Sequence, residues 1–234
     1  MAKRTPARTP VYRVGWFIGR AIVYFVTGSV LWVLIYKWLP PPITLTMMSD
    51  VIAGRGLTKD WMSINAIDPA MPRAVIAAED AKFCAHHGFD SEAIQKAMQS
   101  NARGKRIRGG STISQQTAKN AFLWQNGGYF RKGLEAWFTL LIEGIWGKKR
   151  IMEVYLNIAE TGNGTYGVNA GSQRYFGHDA DQMTSAEAAR IAAILPLPKL
   201  RTAKAPQGYT RRYGNRIAAR SNVVQRGALD KCLE

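Results

Sequence analysis

The run of sixteen uncharged residues from Ala21 to Tyr36 limits what this chain can fold into more than any other feature. As a helix, the run would be about 24 Å long, a little short of a hydrocarbon core of about 30 Å. Arg20 and Lys37 can extend their charged ends towards the headgroups, and the Trp38–Leu39 pair lengthens the apolar span. We therefore predict a transmembrane helix over residues 21–39.

The cations around this run predict its orientation. Five of them precede it, whereas after Lys37 no further cation follows until Arg55, so the amino terminus is expected to stay in the cytoplasm. A cleaved signal peptide is the alternative, but no small-residue cleavage site follows the run. An uncleaved signal anchor fits better, with residues 1–20 as a basic cytoplasmic tail and the prolines at 40–42 as a stiff spacer lifting the domain off the bilayer. The five preceding cations are Lys3, Arg4, Arg8, Arg13 and Arg20.

The exported part of the chain is also basic. The whole chain has 32 Lys and Arg against 16 Asp and Glu, and residues 38–234 keep 26 of these cations and all the acids, a net charge of +10. Beside a membrane, such a domain favours anionic lipid headgroups or a substrate that carries phosphate. Nucleic acid would suit the charge but not the compartment.

The two cysteines, Cys84 and Cys232, lie far apart in the sequence. They can pair in an oxidising compartment, but two such cysteines do not make a disulfide framework. We expect a packed thiol at Cys84 and a frayed tail around Cys232. His86 and His87 suggest a metal site with Cys84, but no second ligand cluster accompanies them, so structural histidines are favoured.

Most of the remaining pattern is helical, and strand signals are almost absent. The clearest helix has apolar residues at three- and four-residue spacing from Leu134 to Ile145. Other helices are predicted after Pro72, after the Asp90–Ser91 cap, over Lys148–Asn157 and after a capping box at Thr184. The expected fold class is therefore mainly α.

The stretch from Gly109 to Asn120 reads GGSTISQQTAKN and concentrates hydroxyl, amide and glycine chemistry. Its glycines permit close approach of the backbone to a ligand, and its Ser/Thr start favours a helix whose free amides, with Lys119, can face one anion. A polar surface helix is the alternative. The candidate binding residues are Ser111, Thr112, Gln115, Gln116, Lys119 and Asn120.

Two glutamates are the candidate catalytic acids. Glu79 ends a partly apolar helix near Phe83, where desolvation would raise its pKa towards that of a useful base. Glu135 lies beside an apolar helix stripe, four residues after Arg131. Alone, Glu79 reads as an exposed acid and Glu135 as a helical ion pair with Arg131. A catalytic role is favoured because the two glutamates occur together with the cations Lys119, Arg131 and Lys132.

Five blocks along the chain, between about Pro69 and Pro198, form a specific set. They resemble the motifs of the peptidoglycan glycosyltransferase family that is shared with class A penicillin-binding proteins, and within it the monofunctional, single-domain members. The blocks are EDAKFCAHHG at Glu79, GGSTISQQTAKN at Gly109, RKGLE at Arg131, KKRIMEVYLN at Lys148, and RYF with EAARIA near Arg174 and Glu187.

The resemblance implies a lysozyme-like head with a smaller membrane-facing jaw lobe, a linker and jaw-proximal segment at 40–68, and a glycosyltransferase domain at 69–234. It implies polymerisation of lipid II into glycan strands, with inversion and release of undecaprenyl diphosphate. The enzyme would be a single-pass protein of the inner membrane, with a cytoplasmic amino terminus and a periplasmic catalytic domain. Its partners would be lipid II, the growing glycan strand, membrane lipid and proteins of cell-wall synthesis or division, but not nucleic acid.

The resemblance also assigns roles to individual residues. Glu79 resembles the base for the acceptor 4-hydroxyl, and Glu135 the second acid near the donor diphosphate, with Mg²⁺ or Mn²⁺ as an optional partner and no obligatory cofactor. Gly127 and Gly128 stand where many relatives have an arginine, so one diphosphate contact is either missing or supplied by the basic loop at 103–108. Lys119, Arg131 and Lys132 match cations for the leaving diphosphate, and the donor pocket is shaped by Ser111, Gln115, Gln116 and Asn120.

Two other functions remain open at this point. A lytic enzyme on the same scaffold would shorten glycan with one acid, and would need neither an anchor nor diphosphate-binding cations. A membrane-tethered scaffold protein would hold lipid or cell-wall polymer on its basic face and would keep that binding without Glu79. The anchor, the paired acids and the cations together favour synthesis.

Overall fold

The structure, a computed structural model, describes residues 10–102 and 110–234, and gives only the backbone at 10–13, 96, 98 and 100–102. Two features of the sequence lie outside the described residues. They are the first cations of the tail, Lys3, Arg4 and Arg8, and the basic loop at 103–108.

The described part of the chain is mainly helical, as the apolar spacing predicts. The helices are α1 (Pro10–Trp38), α2 (Leu45–Ile52), α3 (Ala70–Glu79), α4 (Ser91–Ala102), α5 (Ile113–Phe122), α6 (Tyr129–Ile145), α7 (Lys148–Ile158), α8 (Val168–Phe176), α9 (Ser185–Ile194) and α10 (Gly208–Arg226). Short 3₁₀ turns follow at Ala180–Gln182 and Lys231–Leu233.

Three very short strands form a small sheet in the order β1–β3–β2. They are β1 (Thr58–Lys59), β2 (Glu160–Gly162) and β3 (Thr165–Tyr166), with β3 parallel to β1 and antiparallel to β2. Strands of two or three residues are too short to show an alternating pattern in the sequence. Gly164 joins β2 to β3 at φ +65°, and a Cβ there would lie 2.2 Å from the Arg55 carbonyl oxygen. This turn therefore requires glycine.

The core is built around α5, which packs against both α6 and α7, while α3, α9 and α10 form a second packed group. The buried face of α5 carries Ile113, Thr117, Ala118 and Ala121. Its other face carries polar residues that line a cleft: Gln116, Lys119 and Asn120. The helical repeat thus separates a packing face from a chemical face on one short helix.

Helix α1 is the predicted membrane helix, and Val14–Trp38 is apolar and long enough to cross a bilayer, with mean hydropathy 1.9. Its second half also packs on the domain, because Trp137 Nε1 donates to Ser29 Oγ at 3.0 Å and Trp146 Nε1 donates to the Val33 carbonyl at 2.7 Å. Val33 is fully buried as a result.

The prolines at 40–42 do not hold the domain away from this helix, which differs from the expected spacer. Lys59 Nζ hydrogen-bonds to the Pro41 carbonyl and, at 3.2 Å, to the Pro42 carbonyl. Arg150 donates to the carbonyls of Tyr36 and Leu39 at 2.9 and 3.0 Å. Cations of the domain thus bind the free carbonyls at the end of α1, which local sequence patterns cannot reveal.

Cys84 and Cys232 form a disulfide, so the expectation of a packed thiol and a frayed tail is wrong. The two residues are 148 positions apart in sequence, but α10 packs against α3 and brings the carboxy-terminal turn next to the segment that follows α3. The ion pair between Arg73 and Asp230, at 2.7 Å, fixes the same contact.

Candidate active site

Glu79 is the last residue of α3, and its carboxylate is bound by α5. Gln116 Nε2 donates to Glu79 Oε2 at 2.9 Å, and the buried Tyr155 hydroxyl on α7 donates to Gln116 Oε1 at 3.4 Å. Burial raises the pKa of Glu79, and the hydrogen bond from Gln116 opposes this rise. Glu79 is therefore a carboxylate with increased basicity, held in one orientation by a side-chain amide.

Asp80, which the sequence analysis did not single out, positions α5 relative to Glu79. Its Oδ2 accepts a hydrogen bond from the Ile113 amide at 3.0 Å, and His86 Nε2 lies 2.9 Å from the same oxygen. Asp80 therefore binds a free amide in the first turn of α5, where a negative charge is favourable. The acid-rich block at Glu79 was a signal for this contact, but its partner lies 33 residues away.

Thr112 and Gln115 lie at the start of α5 as a capping box. Thr112 Oγ1 accepts from the Gln115 amide at 3.2 Å, and Gln115 Oε1 accepts from the Thr112 amide at 3.0 Å. Both residues are buried, and neither belongs to the cleft lining. Their contacts fix the helix start, whereas Gln116, Lys119 and Asn120 line the cleft.

Glu135 is buried on α6 and engages both neighbouring cations. Arg131 Nη1 donates to Glu135 Oε2 at 2.7 Å, and Lys132 Nζ donates to Glu135 Oε1. Lys132 also reaches Ser111 Oγ at 3.5 Å. The Arg131 Nε is buried, and no described residue accepts a hydrogen bond from it.

Lys119 links the two glutamates electrostatically. Burial lowers its pKa, Glu135 opposes that fall, Arg131 and Lys132 add to it, and Glu79 opposes it again. All four charges thus act on one ammonium group. The structure brings together the two acids and three cations that the sequence analysis selected.

The hydrogen bonds of Glu135 bear on its candidate role at a divalent cation, which stays a prediction. Both carboxylate oxygens are engaged by cations, and within the described residues no group of three His, Cys, Asp or Glu side chains is arranged to hold a metal ion. His86, a candidate ligand with Cys84, instead binds Asp80, and Cys84 is used in the disulfide.

A cleft of 420 Å³ lies against the polar face of α5. Gln125 Nε2 donates to Asn120 Oδ1 at 3.1 Å and to Thr46 Oγ1 at 2.8 Å, and so joins α5 to α2 at the cleft. Glu79 and Glu135 are not part of the cleft lining, and Glu79 is connected to it through Gln116.

A second group of charged and polar residues lines the same cleft, and the sequence analysis did not identify it. We call it the Asp50 cluster: Asp50, Arg55, Glu160, Tyr166 and Lys199. Burial alone would raise the pKa of Asp50, but hydrogen bonds from Lys199, Arg55 and Tyr166 lower it to about 2. These residues come from α2, the small sheet and the segment after α9, so no local motif connects them.

Gly127 has a structural reason to be glycine. Its φ is +153°, and a Cβ there would lie 2.9 Å from Arg131 Cβ and 3.0 Å from Trp124 Nε1. At Gly128, in contrast, a Cβ would meet nothing within 4 Å. An arginine at position 127 would therefore displace Arg131, whereas position 128 has room for an arginine side chain.

An apolar amino-terminal helix, a mainly α domain, and a polar cleft near Glu79, the buried Glu135 and several cations fit a glycosyltransferase with a membrane anchor. The chain belongs to the transglycosylase family, because the family model described as Transglycosylase matches residues 46–224. This membership confirms the resemblance seen in the five blocks. It also confirms the expected fold class, since the transglycosylase domain is lysozyme-like.

Three similar proteins carry the name biosynthetic peptidoglycan transglycosylase. The one from Caulobacter vibrioides is 53% identical over 208 residues, which cover 89% of this chain and 91% of the relative. Relatives from Xanthomonas campestris pv. campestris (strain B100) and Pseudomonas putida (strain KT2440) are 45% and 44% identical, over 88% and 89% of this chain and 87% and 88% of their own lengths.

Proposed function

We propose that this protein is a peptidoglycan transglycosylase that polymerises lipid II into glycan strands. The observation that carries the proposal is the joint placement of a partly buried, Gln116-bound Glu79 and the cations around Lys119 next to one cleft. The relatives that match most of the chain are named biosynthetic peptidoglycan transglycosylases, and these names support the same substrate class.

In the proposed reaction, Glu79 is the general base. Its carboxylate takes the proton of the acceptor 4-hydroxyl while that oxygen attacks the anomeric carbon of the donor sugar. A new glycosidic bond forms as the bond to the diphosphate breaks, and attack from the opposite face inverts the anomeric centre. A raised pKa suits this task because the base binds the proton more firmly.

The leaving diphosphate gains negative charge as its bond breaks, and fixed cations stabilise that charge. Lys119, Arg131 and Lys132 are proposed for this role. Glu135 orients Arg131 and Lys132 through its two oxygens. With one acid among three cations, this region keeps a net positive charge for the diphosphate.

We place the amino terminus in the cytoplasm and the domain outside the cytoplasmic membrane, in the periplasm. The support is the excess of cations before α1 and the substrate class of the relatives. The membrane position also suits a lipid-linked substrate, since the domain rests directly on the end of α1.

The test is incubation of the purified full chain in detergent with labelled lipid II, and separately with preformed glycan. Long glycan from lipid II, with no shortening of the preformed polymer, is the expected result. Shortened glycan without synthesis would replace the proposal with a lytic enzyme. Polymer binding without either reaction would indicate a scaffold protein.

Lys119→Ala, compared in the same assay, tests the leaving-group role. Because Lys119 is partly buried and interacts with both acids, its loss is expected to lower kcat about 10²-fold. Exposed Lys204 provides the matched control Lys204→Ala, which is expected to keep the full rate. A fully active Lys119→Ala enzyme would remove Lys119 from the mechanism.

A further inference from the structure

Glu160, the first residue of β2, has a buried oxygen that no described residue supplies with a hydrogen bond. The nearest cation is Lys199, whose Nζ lies 3.4 Å from Glu160 Oε1. The same Nζ makes its hydrogen bonds to the two oxygens of Asp50, at 2.8 and 3.0 Å. A buried carboxylate oxygen without a donor is costly, and Glu160 lines the cleft, so a ligand can supply the missing donor.

The other donors of the Asp50 cluster are directed at Asp50 and not at Glu160. Arg55 binds Asp50 Oδ1 through Nε and Nη2 at 2.9 and 2.7 Å, and the Tyr166 hydroxyl donates to Asp50 Oδ2 at 2.7 Å. Asp50 therefore occupies Arg55 and Tyr166 as well as Lys199. Glu160 is left with the long contact to Lys199 at 3.4 Å.

The charge balance of the cluster indicates the kind of ligand. Two cations, Arg55 and Lys199, face two carboxylates, Asp50 and Glu160, so the cluster has no net charge when both acids are ionised. A phosphate would gain nothing here, in contrast to the cationic region around Lys119. A neutral group with a hydroxyl or amide N–H fits better, and the cleft volume of 420 Å³ falls in the usual range for small-ligand sites.

We propose that Glu160 is a saccharide-binding residue, whose carboxylate accepts a hydrogen bond from a hydroxyl or amide N–H group of a sugar unit in the cleft. This inference rests on the proposed function, which puts an amino-sugar polymer in this cleft. Side-chain amides of Gln116, Asn120 and Gln125 in the same lining offer further partners for such a ligand.

The protonation of Glu160 gives the site a pH dependence. Burial raises the pKa of Glu160 to about 7, while Lys199 opposes the rise and Asp50 adds to it. The groups that face Glu160 are Asp50 from α2, Arg55, Tyr166 from β3 and Lys199. Because a sugar donor binds the ionised carboxylate, binding is expected to weaken as the pH falls below about 7.

The experiment measures initial rates of lipid II polymerisation by the full chain in detergent at pH 6 and pH 8. Glu160→Ala is expected to raise KM about tenfold at pH 8 and to leave kcat within about twofold. For the unmodified enzyme, KM rises several-fold from pH 8 to pH 6. For Glu160→Gln, which cannot ionise, KM does not change between these pH values. Asp181→Asn, an exposed acid outside the cleft, is the matched control.

Thermal unfolding separates a binding effect from misfolding, and the Glu160→Gln variant keeps the shape of the side chain if Glu160→Ala unfolds. An unchanged KM in both variants, or the same pH dependence of KM in Glu160→Gln and the unmodified enzyme, would overturn the inference.

If the unmodified protein makes no glycan, the proposed function fails, and direct binding then decides the inference. The probe is soluble N-acetylglucosaminyl-N-acetylmuramic acid disaccharide, titrated into the unmodified and Glu160→Gln proteins. Weaker binding to Glu160→Gln at pH 8 supports the inference, and equal or absent binding to both proteins overturns it.

Discussion

The hydrogen bond from Gln116 to Glu79 is the contact on which the candidate base depends at the residue scale. Burial raises the pKa of Glu79, and the amide of Gln116 stabilises the ionised form and so lowers it. Two opposing effects therefore set the pH at which Glu79 becomes a base. Removal of either effect is therefore expected to shift the pKa of Glu79 in a known direction.

Gln116→Leu is expected to move the acid limb of the kcat profile to higher pH by about one unit, because the lost hydrogen bond no longer stabilises the carboxylate. The rate at pH 6 should fall more than the rate at pH 9. Gln173→Leu, the same substitution at an exposed position of α8, is the control. A loss of equal size at every pH would mean that Gln116 acts on substrate binding and not on Glu79.

Single residues with a local signal could be predicted from the sequence, and their partners could not. Glu79 and Lys119 stood out because each lies in a short, chemically unusual stretch. Asp80 and Glu160 were missed, since their roles depend on Ile113 and on Lys199, which are distant in sequence. A contact between distant segments leaves no periodic pattern to read.

At the scale of elements, the structure depends on how α3, α5 and α10 meet. Asp80 connects the end of α3 to the start of α5, and the disulfide connects the segment after α3 to the turn after α10. Glu79 immediately precedes both connections in the chain, next to Asp80 and five residues before Cys84. The orientation of the candidate base thus depends on the packing of three helices.

Cys84→Ser combined with Cys232→Ser is expected to lower the free energy of unfolding by about 2–5 kcal/mol, because the disulfide closes a long loop and so restricts the unfolded chain. Urea unfolding of the detergent-solubilised protein measures this change. A reducing agent should destabilise the unmodified protein by a similar amount and should not affect the double variant. Equal stability of both proteins without reductant would contradict the prediction.

Elements were predictable where their apolar repeat was long. The stripe in α6 and the capping box of α9 both lie within single helices, and both are present in the structure. Helix α2 was not assigned because its eight residues, Leu45–Ile52, span barely two turns. The small sheet was missed for the same reason of length, although it carries Glu160 into the cleft.

At the scale of the whole molecule, the membrane helix is part of the domain surface and not only an anchor. The first half of α1 exposes large apolar side chains, whereas its second half contacts α6 through Ser29, Val33 and two tryptophans. Hydropathy predicted the helix, but an apolar side chain looks the same whether it faces lipid or a protein neighbour. The domain therefore packs directly on the second half of α1.

A double-mutant cycle on Ser29→Ala and Trp137→Phe tests this docking. The hydrogen bond between their side chains predicts a coupling free energy of about 1 kcal/mol in urea unfolding of the full chain. Purely additive effects of the two substitutions would mean that α1 does not rest on α6. The distant pair Phe17→Leu and Trp137→Phe provides the control and should be additive.

The most direct test of Glu79 as the general base is the rate of glycan synthesis from lipid II by the Glu79→Gln variant. Glutamine keeps the size of the side chain but cannot take the acceptor proton, so the account predicts a kcat at least about 10³-fold below that of the unmodified enzyme, with unchanged thermal unfolding. A folded Glu79→Gln protein that makes glycan at the normal rate would contradict the account, because the base would then be another group.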